Sequence, residues 1–118
     1  MRGARHRNFT AYRLAACLAD EIYEEVSRWD KFPAWTVGAQ VVRAADSIGA
    51  NIAEGLGRGT LQDQRRFFLM ARGPLLETEH WLERAAVRGL PLSTPFVAKT
   101  EELGRVLNGL IRADPARS

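Results

Sequence analysis

Apolar residues recur along this chain every three or four positions, the spacing that places them on one side of a helix. In the first such stretch, residues 11–29, Leu14, Leu18, Ile22 and Val26 make one stripe, and Asp20, Glu21, Glu24 and Glu25 fall on the outer face. The segment Asp30-Lys31-Phe32-Pro33 is expected to break it, because proline lacks a donor and restricts its predecessor. A second helix is predicted over 35–56, with Val37, Val41, Ala44, Ile48 and Ile52 inward and Gly55, Gly57 and Gly59 at its end. A third spans 60–88, with Thr60 as N-cap and Asp63 three residues on. Its stripe is Phe68, Ala71, Leu75, Leu82 and Ala85, widened by Phe67 and Met70, and Gly73-Pro74 should kink or split it. The fourth covers 95–113, with Thr94 as N-cap, Pro95 in first position, and Leu103, Val106, Leu107, Leu110 and Ile111 inward. Short connections make successive helices antiparallel, so the expected fold is all-α: one up-down-up-down four-helix bundle over 1–118, with a basic flexible arm (1–8) and a flexible tail (114–118).

Helix two carries a second pattern. Gln40, Arg43, Ser47, Asn51, Glu54 and Arg58 follow one another at intervals of three or four, a polar seam well to one side of the apolar stripe. The rest of its surface is Val42, Gly49, Ala50, Ala53 and Leu56, with Asp46 as its charge. A surface helix of a monomer carries more charge than this, and small residues admit a close neighbour. Two readings follow: a second subunit covers this face, with Gln40, Arg43, Ser47, Asn51 and Glu54 at the contact, or a central helix packs tightly within one chain.

Composition narrows the function. The chain has 118 residues, 46% hydrophobic and 26% charged, which is globular rather than disordered. No apolar run is long enough for a membrane span, and the start lacks the apolar region of a secretory signal, so the expected location is cytoplasmic. One cysteine excludes an internal disulfide, and its place beside the stripe of helix one predicts that Cys17 is a buried thiol. Net charge is +3, and the cations are arginines apart from Lys31 and Lys99. They fall into three groups. Arg2, Arg5 and Arg7 form the arm; Arg58, Arg65, Arg66 and Arg72 face only Asp63 in sequence; Arg84 and Arg88 lie near the end of helix three. Such clusters suit phosphate contacts of low sequence preference, or they are a solvated charged face.

The run Gln40 to Ile48, then Asn51-Ile52-Ala53-Glu54-Gly55 and Gly57-Arg58, closely resembles the signature of a bacterial four-helix-bundle family encoded in intervening sequences of large-subunit ribosomal RNA genes. Tyr12, Ala15, Leu18, Ile22-Tyr23, Phe32-Pro33, Phe67-Phe68, Ala71-Arg72-Gly73, Glu77 and Glu79 fit the same pattern. The stretch from Pro33 to Gln40 is shorter than the family's, which would start helix two later, and Gln64 and Pro74 depart from it. Relatives include the accessory variability proteins of diversity-generating retroelements. The resemblance implies a ring-like homo-oligomer, often a pentamer, with no enzymatic activity, and among the retroelement relatives partnership with a reverse transcriptase and nucleic acid.

Candidate chemistry is sparse. Glu77-Thr78-Glu79-His80 has the Glu-x-x-His spacing of carboxylate-bridged di-iron bundles, but those need two such motifs and two further glutamates. Gly55-Leu56-Gly57-Arg58-Gly59-Thr60 looks like a phosphate loop, yet no strand precedes it and no Gly-Lys-Ser/Thr follows, so a helix stop is the simpler reading. Two histidines and one cysteine build no nucleophile–base pair. The expectation is therefore no catalytic, metal or cofactor site and no small-molecule substrate. Two function classes remain: a homo-oligomeric accessory protein that binds structured RNA or an RNA–protein complex through Arg58, Arg65, Arg66, Arg72, Arg2, Arg5 and Arg7, or a protein–protein scaffold without nucleic-acid contact.

Overall fold

The structure is a computed structural model that describes residues 2–113, with side chains from Phe9 onward. It is all-helical among these residues: α1 (Arg2–Ser27), a short turn α2 (Lys31–Pro33) running through a π-helical turn (Ala34–Gly38) into α3 (Ala39–Leu56), then α4 (Leu61–Met70), α5 (Arg72–Val87) and α6 (Phe96–Arg112). α2, the π turn and α3 form one rod, and α4 and α5 form another, interrupted at Ala71. With α1 and α6 this makes four antiparallel layers. α1 packs on α3, α3 on α5 and α4, and α6 on α1 and on the α4–α5 rod, the two seams made by α6 being sparser than those made by α3.

The predicted stripes supply the core. Leu18 and Ile22 of α1, Val41, Ile48 and Ile52 of α3, and Leu103 and Leu107 of α6 are almost wholly buried. Each such side chain contributes roughly 1.5–3 kcal/mol by leaving water. Ala11, Ala15 and Ala19 complete the inner face of α1, whereas Leu14 is half-buried and Met70 is exposed.

The local signals behave as their chemistry requires, with exceptions at the boundaries. Thr60 caps α4, its Oγ1 accepting the Asp63 N–H at 3.1 Å. Pro74 lies in the first turn of α5, just past the break at Ala71, where its missing N–H matters least. Gly89 (φ +76°) closes α5 in a Schellman motif: its N–H bonds to Ala86 O and the Leu90 N–H to Ala85 O. α1 begins at Arg2 rather than near residue 11. Pro33 does not separate two helices. It sits in the first turn of the second rod, which starts earlier than expected, at Lys31. Thr94 makes no capping bond; Pro95 precedes α6 and the Phe96 N–H bonds back to Thr94 O.

Glycine is required at two close approaches. A Cβ on Gly38 would lie 2.5 Å from Val26 Cγ1, so the π turn is pressed onto α1. A Cβ on Gly55 would lie 2.9 Å from the Phe68 ring and 3.1 Å from Phe67 Cβ, so the last turn of α3 meets α4 without a side chain between them.

The last turn of α1 corrects the sequence picture. Glu25, expected on the outer face, is 4% exposed and accepts the Ser93 N–H (2.9 Å) and Ser93 Oγ–H (2.7 Å). One turn later the Trp29 indole N–H donates to Pro91 O at 2.9 Å. These two side chains hold the α5–α6 connection against α1. Cys17, expected buried, is exposed, because Ala15, Leu18 and Ala19 already fill the inner arc of that turn.

Candidate functional site

The polar seam of α3 is a set of bonds along one helix. Ser47 Oγ donates to Arg43 O (2.9 Å), Asn51 Nδ2 to Ser47 O (2.9 Å), and Arg58 pairs with Glu54 (3.1 Å). Gln40, Arg43 and Glu54 are exposed; Ser47 and Asn51 are half-buried. The bonds of Ser47, Asn51 and Glu54 run one turn along the same rod, while Arg58 Nε is buried without a hydrogen-bond partner among the described residues. Beside it, Ala50 and Ala53 are exposed, and together with Gly49, Tyr12, Ala16, Asp20 and Asp46 they border a shallow α1–α3 hollow of about 240 Å³.

The arginines around the start of α4 form a neutralised corner. Asp63 sits between two of them: its Oδ1 lies 2.9 Å from Arg66 and its Oδ2 3.8 Å from Arg58 Nε, while Arg58 also reaches Glu54. Both guanidiniums lie over the buried Phe67 ring, with Arg58 at 4.4 Å and Arg66 at 4.8 Å from its centroid. Arg65 donates to Ala113 O at the end of α6, satisfying a carbonyl that the helix leaves open. Of this group Arg72 alone is exposed without an ion pair among the described residues. The sequence places the four arginines together, and the structure spends three of them on internal contacts. The i,i+4 spacing of Glu54 and Arg58 and the i,i+3 spacing of Asp63 and Arg66 are the signal that points to this pairing. Arg2, Arg5 and Arg7 have side chains outside the described residues.

The structure assembles two further sets of charges, the second by joining Arg43 to the Arg84 and Arg88 group that the sequence shows. Between α5 and α6 runs a groove. Its apolar end, about 450 Å³, is lined by Leu82, Ala86, Leu92, Phe96 and Val97; its polar end, about 330 Å³, by Arg72, Arg105 and Asn108, with Glu79 between them. At the bundle end that carries the α5–α6 connection, Arg43, Arg84 and Arg88 hold no ion pair among the described residues.

The chemical motifs resolve simply. Glu77 and His80 are exposed, His80 stands edge-on to Trp81 at 4.8 Å, and no group of three metal-type ligands forms among the described residues. At the glycine-rich turn, the Asp63 carboxylate already occupies the first turn of α4, and its charge opposes an incoming phosphate. No described helix is long and apolar enough to cross a membrane.

What these surfaces define is a helical bundle whose described residues present charged and small-residue faces. The chain belongs to the 23S rRNA-intervening sequence protein family, whose model matches residues 7–109. Its fold is also that of a crystal structure of a protein of unknown function from the S23 ribosomal protein family of Bacteroides thetaiotaomicron: the TM-score is 0.78 at 21% identity, covering 91% of this chain and 99% of that one. A search of curated proteins finds no match.

Proposed function

We propose that this chain works without catalysis, as a self-assembling accessory scaffold that presents its surfaces to another protein or to a ribonucleoprotein. One observation carries the reading. The arginine cluster best placed to grip phosphate is occupied internally by Asp63, Glu54 and Ala113, while the α1–α3 face leaves Ala50, Ala53 and Tyr12 uncovered, with acidic side chains, Asp20 and Asp46, as its charges. Exposed pairs are individually weak, but a cation already paired gains less from a phosphate. Light scattering behind a sizing column should show a multimer at micromolar protein, of which a pentameric ring is one form; a monomer overturns the reading.

Contact with structured RNA is the second reading, favoured by Arg43, Arg84 and Arg88, which share one end of the bundle and hold no ion pair among the described residues. On it, RNA binds weakly at ~50 mM salt with little sequence preference, and affinity falls as salt rises. Arg84→Ala with Arg88→Ala should then weaken binding more than Arg65→Ala with Arg66→Ala. No binding at low salt by an intact multimer leaves the scaffold reading alone.

A further inference from the structure

The α5–α6 groove carries charges that its own chain leaves unanswered. Glu79, Arg72 and Arg105 line it, Glu101 joins them from α6, and none of the four takes part in an ion pair among the described residues. The charges are sorted along the groove. Arg72 and Arg105 lie toward one end, Glu79 and Glu101 lie farther along, and the pocket of Leu82, Ala86, Phe96 and Val97 follows, with Glu83 on its wall, so the acids lie on the pocket side of the arginines. Leu76 and Val97 stand on its walls at 65% and 68% exposure, although each is large and apolar.

The matching surface is on α1. Phe9, Tyr12, Arg13, Ala16, Asp20 and Tyr23 fall within an arc of roughly 100° on its outer side. Phe9 and Tyr23 are more than half exposed, an unusual density of exposed aromatics for a face with no neighbour. Arg13 and Asp20 also hold no ion pair among the described residues. They are separated by seven positions, as are Arg72 and Glu79, a rise of about 10 Å in each helix. When α1 of one copy lies antiparallel to α5 of another, Arg13 meets Glu79 and Glu101, and Asp20 meets Arg72 and Arg105. In that register Ala16, a small side chain, falls at the level of Leu76, and Phe9 reaches the apolar pocket at Leu82 and Ala86.

We infer that the α5–α6 groove is the seat for the outer face of α1 of a second copy of this chain. The two surfaces differ and lie on different sides of the bundle, so the contact is head-to-tail. Repeated, it closes into a ring or extends as a filament, in contrast to a two-fold dimer. This rests on the self-assembly proposed above and assigns its surfaces and register. The small residues of α3 beside Tyr12 and Asp20 allow the partner's α5 and α6 to come close at the edge of the same contact.

Charge exchange tests it on the full chain. Asp20→Arg faces Arg72 with a like charge, and Arg72→Asp faces Asp20 with one, so each single variant should shift the multimer to smaller species in sedimentation velocity. The double variant restores the pair and should restore the multimer. All these positions are exposed, and unchanged helical circular dichroism and melting of the single variants would show that the fold is intact. Arg13→Glu and Glu79→Arg, alone and together, form an independent second set. Single variants that keep the wild-type multimer overturn this contact while leaving self-assembly standing. Singles that dissociate without rescue in either double overturn the register. A monomeric wild type overturns both this contact and the scaffold reading.

Discussion

The α3–α4 corner and the α5–α6 groove are both rich in charge, and they treat it in opposite ways. At the corner, Asp63 and Glu54 answer Arg58 and Arg66 within one or two turns, and Phe67 lies under both guanidiniums. Gly55 lets the two helices come together there. In the groove, Arg72, Arg105, Glu79 and Glu101 line the meeting of α5 and α6 and make no ion pair among the described residues. The lesson is that a cluster of arginines in sequence is a count, not a surface. Charge becomes available to a ligand only where the local helix spacing fails to neutralise it.

The comparison breaks hardest at Gly55. Gly55→Val pushes a side chain into Phe67 and Phe68 and should destabilise the fold by about 1–3 kcal/mol, read from the midpoint of urea unfolding. A change within error would mean that the corner is not the tight contact described. Asp63→Ala tests the neutralisation itself. It removes two partly exposed ion pairs and a favourable charge at the start of α4, for a combined loss of about 1 kcal/mol after solvent screening. The same variant frees Arg58 and Arg66, so RNA affinity at low salt should rise; a fall would show that Asp63 is not what masks them. Glu101→Ala in the groove should move monomer stability by no more than about 0.5 kcal/mol, because no internal partner is lost. A larger loss would reveal a contact within the chain and erase the contrast.

The layered fold was legible because its causes are local. Leu18, Ile22, Ile48, Ile52, Leu103 and Leu107 repeat at helical spacing, Thr60 caps, and Pro74 lies at the break between α4 and α5. Glu25 was not legible: its stripe position reads as solvent-facing, and its burial is made tolerable by Ser93, 68 residues away, together with the Arg28 guanidinium at 3.9 Å. Cys17 failed for a related reason, since a position beside an apolar stripe is inward or outward according to how much of the arc alanines already fill. The candidate site was half legible. The sequence places Arg58, Arg65 and Arg66 together, and the spacing to Glu54 and Asp63 points to their pairing, but the Arg65 bond to Ala113 depends on where α6 ends. The groove joins residues from α5 and α6, and which of them face one another is set by tertiary packing that no periodicity records.

The clamp on the α5–α6 connection has a consequence for how the molecule opens. Ser93 lies outside any helix, in a segment whose amides would ordinarily exchange with solvent deuterium almost as fast as a free peptide. Its N–H is instead held by a nearly buried carboxylate on the last turn of α1, with the Trp29–Pro91 bond beside it. That amide can exchange only when α1 and the connection separate, so its protection measures the docking of the two rather than the melting of any one helix. A single loop amide thus reports the moment at which the first helix leaves the bundle.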